Sequence, residues 1–223
     1  MNGASSFAEA EARIEGEKLD PVVMRVRDWH ARLLGTRAVL VGLSGIDASG
    51  KGFLASRLAR MLQARGLRVA LVNVDGWLNL PQVRFSRLKP GEHFYEHGLR
   101  LEEMFEQLVL PLCKRRSISL DMNYTEETAN EYRPHRFEFQ DVDVVLVEGI
   151  FIFKREFRPQ FDLACWIDCS FETAIQRAIR RGQEGLPPEE TDRAFEAIYW
   201  PAQRVHFERD QPKGSADLTL NND

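Results

Sequence analysis

Residues 38–66 combine an apolar run, a glycine-containing loop and a helical segment, and this order constrains the fold more than any other feature. Residues 38–43 are apolar, as expected of a strand that is covered on both faces. Residues 50–65 have helical spacing and end before Gly66. Between them lies Gly45-Ile46-Asp47-Ala48-Ser49-Gly50-Lys51-Gly52. This order predicts a strand, a tight turn and a helix in an α/β domain.

The loop fits G-x-x-x-x-G-K, the Walker A pattern, and its context supplies the mechanism of phosphate binding. Glycines let the backbone curl so that its N–H groups face phosphate oxygens, and the helix adds the positive end of its dipole. Lys51 adds a point charge for the β and γ phosphates. The alternative is a glycine-rich turn with a chance lysine. The residues predicted here to bind nucleotide are Gly45, Asp47, Ala48, Ser49, Gly50, Lys51, Gly52 and Phe53.

The position after Lys51 departs from the pattern. It is normally Ser or Thr, whose hydroxyl coordinates Mg²⁺, but here it is Gly52. We therefore expect nucleotide phosphates, waters and carboxylates to hold the metal, which keeps several waters in any case. Impaired catalysis is the alternative.

Two carboxylates follow predicted strands at the edge where ligands gather in parallel sheets. Asp75 follows the strand predicted over residues 68–74, and Glu148 follows the one over 142–147. Either acid could accept a proton from a hydroxyl or orient water on Mg²⁺. The alternative is an N-cap or a solvated acid. Both acids are therefore candidates for proton transfer and for holding Mg²⁺, Asp75 through water.

The rest of the chain continues the alternation of strands and helices. Further strands are predicted over 163–167 and 216–220, and helices over 99–113, 171–181 and 189–208, the last kinked or split by Pro201. Residues 76–98 are predicted to form a long irregular connection. Residues 1–36 are predicted to form an acidic tail and a helix over 21–34 that begins at Pro21, and 37–223 one catalytic domain.

The composition excludes several classes of protein. A formal net charge of −4 argues against a surface that binds nucleic acid or anionic lipid. The apolar runs are too short to span a bilayer, and no signal peptide is recognisable. Three cysteines without a C-x-x-C pair indicate reduced thiols. We therefore expect a cytoplasmic protein without nucleic-acid or membrane partners.

Three segments together resemble the uridine kinase, phosphoribulokinase and pantothenate kinase group of P-loop kinases, most closely bacterial uridine kinase-like proteins. They are Gly42 to Lys51, Val72 to Trp77 and Asp143 to Phe151. The resemblance covers about residues 38–220. It implies a P-loop NTPase-type three-layer α/β sandwich with a mainly parallel sheet and a helical lid. It also implies ATP and Mg²⁺ as cofactors, and it leaves open whether the protein forms a homo-oligomer.

The resemblance also assigns roles. Asp75 takes the place of the catalytic base and Glu148 that of the Walker B-type acid. The lid corresponds to Arg177, Arg180 and Arg181, which helical spacing puts on one side. Arg177 and Arg181, with Lys51, would stabilise the transferring phosphoryl group, and Arg180 would contact the nucleotide. The alternative is an exposed basic helix face. Pro212-Lys213-Gly214 would lie near the adenine.

The acceptor side matches the family less closely. The tyrosine that precedes an aspartate in uridine kinases corresponds to Tyr124, which no aspartate follows, and the His-x-Arg element is displaced to His135-Arg136. The residues predicted to bind the acceptor are Tyr95, His97, Arg100, Tyr124 and Arg136.

The sequence thus predicts an ATP-dependent small-molecule kinase that acts on a hydroxyl group, most readily that of a nucleoside such as uridine or cytidine. A non-nucleoside acceptor of the pantothenate, sugar phosphate or glycerate type is the alternative. A non-catalytic nucleotide-binding regulator is a third reading, which Gly52 motivates. A GTPase is disfavoured because no Asn-Lys-x-Asp string is present.

Overall fold

A five-stranded parallel sheet forms the centre of the molecule, and a two-stranded antiparallel hairpin stands apart from it. The computed structural model describes residues 3–182 and 185–223, with side chains from residue 17 onward. The strand order in the sheet is β2-β5-β1-β6-β7, and β3 pairs with β4. The strands are β1 (Val39–Gly45), β2 (Val69–Asn73), β3 (Ile118–Tyr124), β4 (Arg133–Phe139), β5 (Val144–Gly149), β6 (Leu163–Asp168) and β7 (Leu218–Asn221).

Helices cover both faces of the sheet. They are α1 (Gly3–Leu33), α2 (Lys51–Gln63), α3 (Pro81–Arg84), α4 (Pro90–His97), α5 (Leu101–Met104), α6 (Leu110–Arg115), α7 (Phe171–Arg181), α8 (Pro188–Ala194), α9 (Trp200–Asp210) and α10 (Pro212–Ser215). A π-helical turn, Phe105–Val109, joins α5 to α6, and another, Phe195–Tyr199, joins α8 to α9. Short 3₁₀ turns occupy Val74–Trp77 and Arg158–Gln160.

Burial on both faces explains why the central strands are so apolar. Every residue of β1 and β5 is buried. Their side chains divide into two apolar clusters, one beneath α1 and α2 and the other beneath α4 to α9. This is the three-layer α/β arrangement with a mainly parallel sheet that the sequence predicted, so the predicted fold class is confirmed.

The N-terminal helix begins earlier than predicted. Instead of beginning at Pro21, α1 extends from Gly3 to Leu33 with Pro21 inside it. Leu19, Val22 and Val26 have no exposed surface and pack against α2 and the sheet. This apolar stripe continues across the proline, and its burial offsets the hydrogen bond that proline cannot donate. Residues 1–2 of the predicted tail lie outside the described residues.

Three other segments differ from the prediction. The connection predicted as irregular over 76–98 contains α3, α4 and part of a 3₁₀ turn. Pro201 does not split its helix, because the π-helical turn directly before α9 absorbs the irregularity. The hairpin of β3 and β4 was not predicted at all. Within the described ranges, no helix combines the length and the apolar character that a membrane span needs.

Candidate active site

The loop between β1 and α2 adopts a tight conformation that only small residues permit. A Cβ atom at Gly45 would lie 2.7 Å from the carbonyl oxygen of Ile167. Gly50 has φ of 87° and Ala48 has φ of 56°, both in the left-handed region. Gly50 directly precedes α2, whose first-turn N–H groups have no partner within the helix. The loop therefore has the geometry that anion binding requires.

The loop opens onto a cavity of about 540 Å³, which we call the nucleotide cavity. This volume lies within the range of ligand pockets in proteins. Both predicted acids and all three predicted lid arginines reach it. Its lining consists of Ala48, Gly50, Lys51, Gly52, Phe53, Asn73, Asp75, Glu148, Arg177, Arg180 and Arg181.

The three arginines of α7 differ in their surroundings. Arg180 and Arg181 are exposed along the rim of the nucleotide cavity. Arg177 donates to the carbonyl oxygen of Asn222 at 2.7 Å and lies 3.5 Å from that of Ser49. Asn222 in turn donates from Nδ2 to the Ser49 carbonyl at 2.8 Å. Arg177 therefore holds the phosphate loop against the end of β7, and its catalytic role stays a prediction.

Glu148 is the buried acid of the nucleotide cavity, with 4% of its surface exposed. Burial raises its pKa to about 7, against the opposing effect of Lys51. A Cβ atom at Gly52 would lie only 3.3 Å from Oε1 of Glu148. The carboxylate therefore fills the space beside position 52 where a Ser or Thr side chain would begin, and it brings oxygen ligands of the kind that Mg²⁺ prefers.

Asp75 lies on the 3₁₀ turn that follows β2, at the carboxyl edge of the sheet. The Asn73 side chain caps this turn by accepting from the backbone N–H of Asp75 at 2.7 Å. Asp75 is partly buried and lines the nucleotide cavity beside Asn73. The cap thus fixes the backbone that carries this carboxylate, and a fixed position is what catalysis by proton transfer requires.

A second, smaller cavity of about 50 Å³ lies deeper in the protein, and we call it the inner cavity. Four of its lining residues, Ala48, Lys51, Asp75 and Arg181, also line the nucleotide cavity. These four residues therefore stand where the two spaces adjoin. The others are Asp47, Leu78, Arg84, Phe94, Glu127, Ile150, Phe195 and Tyr199.

Asp47 faces the inner cavity with its side chain, beyond the backbone role that the loop pattern predicts. Nε2 of Gln203 on α9 donates to Asp47 Oδ2 at 3.2 Å. Burial raises the pKa of Asp47, Lys51 lowers it and the nearby Asp75 carboxylate raises it further. The carboxyl groups of Asp47 and Asp75 therefore both line the inner cavity.

None of the five predicted acceptor residues lines either cavity, and three of them make contacts elsewhere. Tyr95 is buried and donates from its hydroxyl to Asp210 Oδ2 at 2.6 Å. His97 is exposed beside Glu96. Arg100 pairs with Glu103 at 2.8 Å and lies over the Tyr132 ring. These three side chains thus contact α9, solvent and the hairpin, and their role in acceptor binding stays a prediction.

Tyr124 and Arg136 line a separate groove of about 360 Å³ between β2 and the hairpin. Tyr124 packs so closely on the turn that carries Asp75 that a Cβ atom at Gly76 would overlap its ring, at 2.0 Å. Burial raises the pKa of Tyr124, and the Asp75 carboxylate raises it further. Tyr124 thus lies near Asp75, whereas Arg136 pairs with Asp121 on the hairpin, and the binding role of both residues stays a prediction.

We expect Tyr95→Phe to lower stability and leave acceptor binding unchanged. The variant loses a hydrogen bond to a buried carboxylate, which should lower the free energy of unfolding by about 1–2 kcal/mol. The measurement is thermal unfolding together with the KM of the acceptor. Tyr132→Phe is the matched control, since it loses a 3.0 Å bond to Asn79 at a less buried place. A large rise in KM for Tyr95→Phe alone would restore Tyr95 to the acceptor site.

The sequence interpretation missed several residues of the inner cavity. Arg84 lies in α3, within the segment that shows no periodicity, so nothing marks it as buried. Phe195 and Tyr199 come from the long helical segment that follows α7. They have helical spacing, which predicts a packed face but not a cavity wall.

Solved structures share this architecture. No known protein-family model matches the chain. A protein from Bacillus stearothermophilus described as a possible uridine kinase aligns at a TM-score of 0.65 and 21% identity, over 90% of this chain and 99% of the other. A candidate fructose transport system kinase from Silicibacter aligns at 0.66 and 19%, over 86% and 98%. D-glycerate 3-kinase from Cryptococcus neoformans aligns at 0.59 and 17%, over 86% and 88%.

These likenesses define the class of fold. The chain has a P-loop kinase-like α/β fold, and the predicted resemblance is confirmed at that level. The descriptions of these proteins refer to uridine, to fructose transport and to D-glycerate, so the fold alone does not identify the substrate.

Proposed function

We propose that the protein is an ATP-dependent phosphotransferase that moves the γ-phosphoryl group to a hydroxyl of a small molecule. The observation that supports this most strongly is the position of Lys51, Asp75 and Arg181, which line both cavities. Phosphoryl transfer between two bound substrates requires positive charges and a carboxylate where the substrates meet. Lys51, Arg181 and Asp75 supply these groups where the two cavities adjoin.

The proposed step assigns one task to each group. Asp75 accepts the proton of the acceptor hydroxyl, and the hydroxyl oxygen forms a bond to the γ-phosphorus. The bond from that phosphorus to the bridging oxygen breaks, and ADP leaves with the electron pair. Lys51 and Arg181 stabilise the charge that spreads over the phosphoryl oxygens. Arg177 keeps the loop in position through its bond to the end of β7.

Glu148 and Asp75 are the residues that would hold Mg²⁺, Asp75 through water. When bound, the metal neutralises charge on the phosphate oxygens. The contact between Gly52 and Glu148 supports this assignment, because the buried carboxylate stands beside the position that usually supplies a hydroxyl.

The experiment is ADP release coupled to acceptor phosphorylation, with ATP and Mg²⁺, over nucleosides, hydroxy acids and sugar phosphates. We expect ADP release that depends on one class of acceptor. Protein carrying Asp75→Asn, prepared identically, controls for contaminating kinases. Tight ATP binding without acceptor-dependent ADP release would replace this proposal with a non-catalytic nucleotide-binding protein. The nucleoside acceptor stays a prediction that the uridine and cytidine arms test.

We expect Lys51→Met to weaken ATP binding about 10- to 100-fold, as loss of a hydrogen bond to a charged group does. Isothermal titration calorimetry with ATP measures this directly. The matched control is Lys114→Met, which removes the same charge from an exposed position on α6. Equal ATP affinities in the two variants would remove Lys51 from the phosphate site.

A further inference from the structure

Arg84 is a buried cation of the inner cavity whose hydrogen bonds are incomplete. Only 4% of its surface is exposed. Its Nη2 group donates to the backbone carbonyl of Glu127. Its Nε and Nη1 groups have no hydrogen-bond partner among the described residues. A guanidinium stays charged in proteins, so these two donors need an acceptor.

The surroundings of Arg84 do not supply that acceptor. The guanidinium lies over the Phe85 ring, with Cζ 4.9 Å from the ring centroid. Tyr199 and Glu127 raise the pKa of Arg84, but burial is the larger effect and lowers it overall. Because the pKa of Arg84 is lowered overall, the surrounding protein groups compensate the charge of its guanidinium only in part.

Arg84 does not serve the nucleotide by position. It lines the inner cavity only, whereas Lys51 and Arg181 line both cavities. Three acids, Asp47, Asp75 and Glu127, also line this cavity, but none of them accepts a hydrogen bond from Nε or Nη1 of Arg84. An acceptor for these two donors can therefore come from a molecule that occupies the inner cavity.

We propose that the acceptor carries an anionic group, a carboxylate or a phosphate, which binds the fork of Arg84 while its hydroxyl faces Asp75. This inference rests on the proposed function and names the class of its substrate. A carboxylate or a phosphate matches the planar geometry of guanidinium donors. The acceptor is thus a hydroxy acid or a sugar phosphate, in contrast to an uncharged nucleoside.

The size of the inner cavity favours the smallest members of this class, such as a three-carbon hydroxy acid. It measures about 50 Å³, whereas a single water needs roughly 10–15 Å³. The space suits a compact acceptor of a few carbon atoms better than a sugar joined to a base. Arg84 is itself buried, which strengthens its pairing with an anion.

The test uses pairs of acceptors that differ in one charge: glycerate and glycerol, pantothenate and pantothenol, and ribose 5-phosphate and ribose. Uridine and cytidine complete the neutral arm. We expect ADP release with at least one anionic compound, at a kcat/KM about 100-fold or more above that of its neutral partner. The hydroxy acid and sugar phosphate arms distinguish a carboxylate from a phosphate.

Variants assign the preference to Arg84. Arg84→Gln should raise the KM for the anionic acceptor about 10- to 100-fold with a smaller effect on kcat, and Arg84→Lys should give an intermediate KM. Arg87→Gln is the matched control, because Arg87 is exposed a few residues further along the chain. If Arg84→Gln fails to fold, the KM of Arg84→Lys for the anionic acceptor tests the role of Arg84, because this variant keeps the charge and changes only the geometry of the donors.

Each outcome bears on one of the two proposals. Turnover of neutral acceptors alone, or a preference for anions that survives in Arg84→Gln, would overturn the anionic acceptor and leave the kinase intact. ATP binding without turnover of any compound would overturn the kinase. Calorimetry of the anionic compounds with a non-hydrolysable ATP analogue then decides the anion site: binding lost in Arg84→Gln supports it, and no binding to the unmodified protein overturns it.

Discussion

Replacing Asp75 by asparagine should lower kcat/KM for the acceptor by about 10²–10⁴-fold, the usual contribution of a general base. The amide has nearly the shape of the carboxylate but cannot accept the proton. The Asn73 bond to the backbone of the turn does not involve the replaced side chain, so the fold should persist. Coupled ADP release measures the rate, and calorimetry measures ATP affinity, which should change little.

The control for Asp75→Asn is Asp121→Asn. Asp121 is exposed on β3 and pairs with Arg136 at 2.9 Å, away from both cavities. This variant should retain the rate of the unmodified protein. If Asp75→Asn also retained it while ATP still bound, Asp75 could not be the base.

Replacing Glu148 by glutamine should have opposite effects on activity and on stability. Loss of the metal-binding carboxylate should lower the Mg²⁺-dependent rate by about 10²–10³-fold. Without ATP and Mg²⁺, the same variant should be more stable than the unmodified protein at pH 8, because a buried uncompensated carboxylate costs free energy.

The sign of the stability effect follows from the pKa of Glu148. The pKa is raised from 4.5 to about 7 in the folded protein. Between these values the folded protein keeps a proton that the unfolded chain loses, so stability falls as pH rises through the window. Above pH 7 the full cost is present, with an upper limit of about 3 kcal/mol. Below pH 4.5 the two proteins should be equally stable.

Thermal unfolding at pH 4 and pH 8 in the presence of a chelator measures this difference. At pH 8 the variant should melt several degrees higher, since 1 kcal/mol corresponds to about 2–4 °C in a chain of this size. Glu106→Gln, at an exposed position, is the control and should show no such dependence. Equal melting temperatures of Glu148→Gln and the unmodified protein at pH 8 would mean that the carboxylate is already compensated.

Local patterns predicted most of the fold. The strands at residues 38–43 and 142–147 were recognisable because burial on both faces demands unbroken apolar runs. The hairpin was missed although Ile118, Leu120 and Met122 alternate with polar residues, which is the signal of a half-buried strand. The start of α1 was predicted wrongly because a proline usually begins a helix, whereas here the burial of the apolar residues around Pro21 keeps the helix continuous. A sequence pattern does not show that burial.

The proposed nucleotide side of the site has a clearer sequence signal than the proposed acceptor side for a physical reason. Backbone groups and one lysine bind phosphates in such loops, so a short string with fixed spacing specifies that geometry. The residues of the proposed acceptor side come from separate elements, and only the tertiary structure brings Arg84 and Asp75 to the same cavity. Tyr95 illustrates the converse, because its hydroxyl completes a buried hydrogen-bond network with Asp210.

The division of the interior into two apolar clusters has a consequence for protein engineering. The cluster beneath α1 and α2, which includes Leu19, Val22 and Val26, contains no residue of either cavity. The other cluster contains Leu78, Phe94 and Phe195, which line the inner cavity. With the acceptor bound in the inner cavity as proposed, thermostability could be selected on one side of the sheet and acceptor preference on the other, so the two properties could evolve with little interference.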